Sequence, residues 1–195
     1  MPYRGSMRIV NRRLLAGCAT ALVATFALVG CVSTPAPTPS TSAPTDAPVF
    51  ASDEDALAAA TEAYAAYLKV SDASWTDERT TRDDFLALST GQAHDEDLSA
   101  SELFDENGWR KVGTTTFDSI RLQSSGPNLG GNWEVRTYLC IDVSESDVID
   151  VTGQSVATPD RPLRLPLEVA FVSTSSTNKN LLVSESQVWS GSNFC

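Results

Sequence analysis

The spacing of apolar positions divides the chain into three stretches. Residues 14–29 carry no charge and are mostly Leu, Ala, Val, Phe and Gly. In residues 32–48, Pro35, Pro37, Pro39, Pro44 and Pro48 are interleaved with Ser and Thr, with no apolar period. From residue 51 onward, apolar residues recur first at a helical period and then at a period of two. In SDEDALAAATEAYAAYLKV, Leu57, Thr61, Tyr64 and Leu68 fall on one helical face, with Ala60 and Tyr67 beside them. Ser52 is placed to cap this helix, and Asp53, Glu54 and Asp55 suit its N-terminal dipole. A second helix is predicted to begin at Thr81, where Asp84 three residues on makes a capping box and Phe85 and Leu88 face inward. Gly91 is expected to stop it. A third short helix is predicted over residues 96–105, with Gly108 just past its end.

Strands follow. TTTFDSIRLQS is the first run and GNWEVRTYLCIDV the clearest. In the latter, Val135, Thr137, Leu139, Ile141 and Val143 alternate with Glu134, Arg136, Tyr138, Cys140 and Asp142. PLRLPLEVAFVST places Leu165, Leu167, Val169 and Phe171 on one face, and Pro166 on the other suggests an edge strand or a bulge. LLVSESQVWS is the last run. The connections SSGPNLGGN and STNKN are rich in turn formers. Residues 144–161 form a long acidic excursion with room for a short extra hairpin. Helices followed by a strand meander predict an α+β fold, with N-terminal helices packed on one face of a curved antiparallel sheet, a cone-shaped roll.

Charge gives the front end its meaning. Arg4, Arg8, Arg12 and Arg13 precede the apolar run, and no acidic residue occurs before Asp46. A basic segment before an apolar stretch shorter than the roughly 20 residues of a spanning helix is the layout of a secretory signal. Met7 would serve as a start as well as Met1. The stretch Leu28-Val29-Gly30-Cys31 resembles the lipobox of bacterial lipoproteins. The resemblance implies cleavage before Cys31 and a diacylglyceryl group on its sulfur. The competing reading is an ordinary signal peptide with an incidental cysteine. Each buried methylene contributes about 0.8 kcal/mol, so two acyl chains anchor stably where one does not. The expected organisation is a signal peptide (1–30), the lipidated Cys31 with a Pro/Ser/Thr-rich linker (31–50), and one globular domain (51–195). The membrane, reached through the diacylglyceryl anchor on the extracytoplasmic side, is the one partner this implies. At about 3.1 Å per residue the linker would span on the order of 50 Å if extended.

The formal charge of −11 becomes about −15 once the four signal arginines are removed. That balance argues against nucleic acid as a partner and against docking on anionic lipid. The domain is long enough for one core and too short for a two-lobed solute-binding protein. With Cys18 and Cys31 assigned to the front end, Cys140 and Cys195 remain. An even pair in an exported domain suggests a disulfide, and two isolated cysteines do not complete a tetrahedral metal site.

By element order, length and the long second strand, residues 51–190 resemble the nuclear-transport-factor-like, cystatin-like α+β domains. Ketosteroid isomerase and scytalone dehydratase share that fold. The resemblance implies a pocket between helices and sheet. An isomerase-like site would need an Asp and a Tyr converging in an apolar cavity, for which Tyr64, Tyr138 and Asp142 are the candidates, with Tyr67 beside them. The simpler reading makes Tyr64 and Tyr67 core aromatics. His94, the single histidine, sits beside three acids and reads as a solvated cap, so no catalytic triad is assigned. Residues 142–153 have calcium-loop character but carry Asp147 where an EF-hand needs Gly. No phosphate loop, dinucleotide fingerprint or CxxC occurs, and neither cofactor nor metal is expected. Trp133 is either packed on a neighbouring strand or exposed as a contact for a partner or sugar.

Three classes of function therefore stand. A binding domain would recognise a protein, the wall or a small molecule. An enzyme would need a closed apolar cavity holding a carboxylate. A surface spacer would have a filled cone.

Overall fold

The computed structural model describes residues 48–76 and 79–195. Cys31 and the stretches expected to be signal peptide and, for the most part, linker lie outside the described residues. Three helices come first: α1 (Asp53–Ala73), α2 (Arg82–Leu86) and α3 (Gly91–Asn107). Six strands follow: β1 (Arg110–Gly113), β2 (Thr116–Pro127), β3 (Trp133–Asp142), β4 (Ser146–Ile149), β5 (Arg164–Ser173) and β6 (Leu181–Val188). Strands β2-β3-β5-β6 form an antiparallel sheet in that order, and β1 pairs with β4 in a second, two-stranded one. The domain is α+β, with helices against an open antiparallel sheet.

Helix α1 starts where its cap dictates. The Ser52 hydroxyl accepts from the Asp55 N–H at 3.2 Å, and three acids occupy the first turn. Its buried stripe is Ala56, Ala60, Tyr64 and Leu68, so Leu57 and Thr61 lie half-buried at its margin. The stripe is rotated by one position because alanines, not the larger Leu57, let the helix approach the sheet. Helix α2 has the capping box: Thr81 Oγ1 accepts from Asp84 N at 3.2 Å, and Asp84 Oδ2 accepts from Thr81 N at 2.8 Å.

Gly91 does not stop α2, which already ends at Leu86; it opens α3 with φ 55°. Between the two helices, residues 88–90 run beside β6: Val183 N donates to Leu88 O at 3.0 Å and Thr90 N to Val183 O at 2.8 Å. Those bonds fix the entry of α3 five residues earlier than the sequence suggests. Gly108 ends it in the left-handed region (φ 65°), where Trp109 N reaches Phe104 O at 2.8 Å.

Strand parity sets the core. Val135, Thr137 and Leu139 of β3 are fully buried and sit opposite Phe171, Val169 and Leu167 of β5. Pro166 is buried inside β5, an interior strand in unbroken register with β3, so it marks neither the edge nor the bulge expected for it. A residue's N and C=O point to the same side of a strand, and the Pro166 carbonyl accepts from Trp189 N at 2.8 Å, just beyond the last β5–β6 pair. Its missing N–H therefore faces the point where β6 has run out. Irregular registers in β2 (Asp118/Arg121 and Leu122/Ser124) and at Ala170/Phe171 bend the sheet.

The excursion after β3 does hold the extra hairpin, with Val156 N donating to Val148 O at 2.9 Å. Its first strand, β4, also pairs with β1, which sequence spacing does not reveal. Gly113 is required at this crossing, because a Cβ there would collide with the Glu145 carbonyl.

The domain begins earlier than residue 51. Val49 and Phe50 belong to the core, and the Phe50 ring meets Trp133 edge-on at 6.5 Å. Deleting residues 34–47 is expected to leave the melting temperature unchanged. Phe50→Ala should cost about 3 kcal/mol and lower it clearly. Thermal unfolding of both variants checks this, and a drop of several degrees from the deletion would show that the linker docks.

Candidate functional site

A cleft of about 360 Å³ lies between the helices and the far ends of β3 and β5. Tyr64, Tyr67 and Leu68 of α1 line it, with Phe85 of α2, Asp97 and Phe104 of α3, Ile141 of β3 and Leu167 of β5. Residues three and four apart share a helix face, which brings Tyr64, Tyr67 and Leu68 together. The same rule sets Asp97 four residues after buried Ala93 and four before buried Ser101. The cone is therefore not filled, and its hollow holds a carboxylate. It opens to solvent rather than closing over.

The Tyr67 hydroxyl donates to Asp97 Oδ1 at 2.7 Å. Asp97 Oδ2 is buried and completes no hydrogen bond, and the buried Ser89 hydroxyl lies beside it. Burial raises the Asp97 pKa above the usual Asp value; Tyr67, Ser89 and the nearby His94 draw it part of the way back. The Tyr67 hydroxyl is itself pushed up, by burial first and then by the Asp97 charge. Burial does the same to Tyr64, whose hydroxyl is directed at Ser186.

A raised acid pKa means the folded state holds the proton more tightly than the unfolded chain does. The associated stabilisation is complete below the ordinary Asp pKa of about 3.8 and is lost as pH rises through the raised folded value. At neutral pH the Asp97 charge therefore costs stability. Asp97→Asn keeps an acceptor for Tyr67 and is expected to melt higher than the wild type at pH 7, with the difference gone below pH 3.8. Melting curves at the two pH values test this, and a variant no more stable at pH 7 would contradict it.

The three residues singled out from sequence do not converge. Tyr64 lines the cleft. Tyr138 lies on the opposite face of the sheet, where Gln123 Nε2 donates to its hydroxyl at 2.6 Å and the Trp189 ring stands 4.9 Å away. Asp142 shares that face; Ser144 N donates to it at 2.9 Å and Arg164 Nη1 reaches it at 3.3 Å. The Ser144 hydrogen bonds, and then Arg164, hold its pKa below the ordinary range. Alternation along β3 makes this unavoidable, since Tyr138 and Asp142 have the parity opposite to the core residues Leu139 and Ile141. Asp97 is the carboxylate that sequence reasoning missed. Its signal was the Ala93–Asp97–Ser101 spacing, hidden once the helix was started at residue 96.

Cys140, fully buried on that outer side, is joined by a disulfide to Cys195, with Cα atoms 5.6 Å apart. The bridge lays residues 194 and 195 over the sheet, and Phe194 packs 6.2 Å from Tyr138. His94 lies within the first turn of α3, half-buried, its Nδ1 3.1 Å from Leu86 O. Trp133 is half-buried, with Nε1 donating to Ser125 Oγ at 2.8 Å, so its ring edge is engaged within the fold. A larger hollow of about 540 Å³ beside α1 and the start of β2 offers less chemistry. Its carboxylate, Asp72, is already paired with Lys111 at 2.5 Å and with Thr115 N at 2.9 Å. No helix among the described residues is long and apolar enough to cross a membrane.

No protein-family model matches the chain. No curated protein matches it. In structure it is similar to the intermembrane-space region of the chloroplast protein ARC6, at 12% identity and TM-score 0.48, over 69% of this chain and 97% of that one. It is also similar to a periplasmic fragment of TraM, at 15% identity and TM-score 0.45, over 72% of this chain and 100% of that one. A third similar structure is Aln2 from a Streptomyces species, at 15% identity and TM-score 0.37, over 70% and 90% of the two chains. The likeness reaches no further than helices laid against an antiparallel sheet.

Proposed function

We propose that this is a cell-envelope protein held on the outer side of the membrane by the lipid on Cys31, and that its domain binds a small ligand in the cleft above Tyr67 and Asp97. The observation that carries the binding reading is the unfilled cleft itself, with a partly buried carboxylate and a tyrosine hydroxyl among apolar walls. Concave sites of this size, mostly apolar with a few fixed polar groups, are what small molecules occupy. Geometry adds support. The chain enters the domain at Phe50, beside Trp133 at the start of β3, whereas Ile141 near the end of β3 lines the cleft. At ~3.4 Å per residue the two ends are about 27 Å apart, so Phe50 lies at the end of β3 opposite the one that lines the cleft.

The anchor is tested by Cys31→Ala, which should release the protein or leave it unprocessed. Unchanged membrane retention and lipid labelling would sink the anchor. The cleft is tested by amide spectra of the protein with small aromatic alcohols, amines and acids at millimolar concentration. Shifts should concentrate on cleft residues and vanish in Ala100→Trp, which places an indole at the exposed rim. Spectra unmoved by every compound, or moved equally in Ala100→Trp, would remove the binding reading.

The raised pKa of Asp97 favours a second reading, an enzyme in which Asp97 transfers a proton and Tyr67 orients it. Turnover that disappears in Asp97→Asn while binding persists would establish that reading over the first.

A further inference from the structure

We infer that the cleft is built for an organic cation: an ammonium group carried on a compact apolar body. The inference rests on the cleft being a binding site and names the ligand chemistry. It starts from charge pairing. Half-buried carboxylates in this domain have cations of their own: Asp72 has Lys111 at 2.5 Å, Asp142 has Arg164 at 3.3 Å and Glu185 has Arg136 at 3.0 Å. Asp150, half-buried without a cation, is satisfied by its own turn, with Thr152 N at 2.8 Å and Gln154 N at 3.0 Å. Asp97 has neither solution. Among the described residues no Lys or Arg pairs with it and no backbone N–H donates to it; Tyr67 donates to Oδ1, the Ser89 hydroxyl lies beside Oδ2 without completing a hydrogen bond, and half-buried His94, nearby, forms no ion pair with it. A desolvated carboxylate left in that condition is stabilised by an incoming positive charge.

The walls suit the same guest. Tyr67 packs on Phe85 at 5.2 Å, and Trp75 on Phe104 at 5.1 Å, and all four rings line the cleft. Aromatic faces attract ammonium groups, most strongly where water is excluded. The two basic side chains at the rim do not repel a cation, because each is already neutralised. Lys111 is held by Asp72, and Arg161 donates to Ser146 O at 2.6 Å with Asp147 at 3.9 Å. The formal charge of −11 also draws cations toward the surface.

The test is calorimetric titration of the full chain in lipid nanodiscs at pH 7 with three compounds of one shape: 2-phenylethylammonium, 2-phenylethanol and phenylacetate. The ammonium compound is expected to bind at least tenfold more tightly than the alcohol, with no binding of the acid. Asp97→Asn should erase that tenfold preference, and Ala100→Trp should abolish binding of the ammonium compound and of the alcohol. If the alcohol or the acid binds wild type as well as the ammonium compound does, or if the preference survives in Asp97→Asn, the cation assignment falls and the cleft remains a binding site for another chemistry. If none of the three binds at millimolar concentration, the cation assignment falls together with the binding reading. The wild-type comparison of isosteres stands even if Asp97→Asn folds poorly.

Discussion

Cys195→Ala is expected to lower the unfolding free energy by about 4 kcal/mol and the melting temperature by about 10 °C. The bridge spans a sequence separation of 55 residues, and in the chain-entropy model a loop of that size contributes about 4 kcal/mol by restricting the unfolded chain. Cys140 is fully buried in β3, an interior strand, and a lone thiol there behaves as a small apolar group, so the substitution leaves no new polar defect in the core. The folded state loses something as well. The bridge also holds Phe194 against Tyr138, with Arg121 5.5 Å above its ring. Thermal unfolding of the unreduced variant, beside wild type with and without reductant, makes the measurement. Reduced wild type should melt with the variant. A loss below about 1 kcal/mol would mean that residues 189–195 keep their place through Trp189 and Phe194 alone, and that the unfolded chain is already compact.

Legibility in the sequence followed the range of the interactions. The caps at Ser52 and Thr81 and the alternation of β3 could be read because each is fixed within a few residues. The parity rule also contained the correction to the candidate site: with Val135, Thr137 and Leu139 inward, Tyr138 and Asp142 had to face away from Tyr64. Features that depend on distant partners were not legible. β1 is four residues long and exists because Ser146–Ile149 lies beside it. The start of α3 is not locally encoded: Gly91 has the look of a helix stop, whereas Thr90 and Leu88 are positioned by Val183 across the domain. The place of Asp97 depends on that start. With α3 opening at Gly91, Ala93, Asp97 and Ser101 form one inward stripe; with a start at residue 96, Asp97 is one of several acids in a solvated turn. Val49 and Phe50 are hidden differently, since they follow the proline-rich run and join the core through residues distant in sequence, as Phe50 does with Trp133.

Tyr64→Ala should be the most damaging single truncation in the core, costing about 4 kcal/mol. The side chain is 1% exposed and is the largest that is fully buried. Its ring meets Phe117 edge-on at 5.0 Å and Phe171 at 6.2 Å, and stacks on Tyr67 at 5.8 Å, so it joins α1 to β2 and β5 at once. Removing it opens a cavity against three aromatic neighbours and takes away the ring that holds Tyr67 in place beside Asp97. In urea the midpoint should fall with the slope unchanged, as for a loss of packing without a change in the unfolded chain. Tyr64→Phe divides the effect. It keeps every ring contact and removes only the hydroxyl directed at Ser186, so it should cost about 1 kcal/mol. If Tyr64→Phe instead cost as much as Tyr64→Ala, the tie from α1 to β6 through Ser186 would outweigh the aromatic packing. Tyr67 and Asp97 would then depend on the polar contact between the Tyr64 hydroxyl and Ser186 for their geometry, and the cleft would respond to Ser186→Ala as strongly as to any change in its own walls.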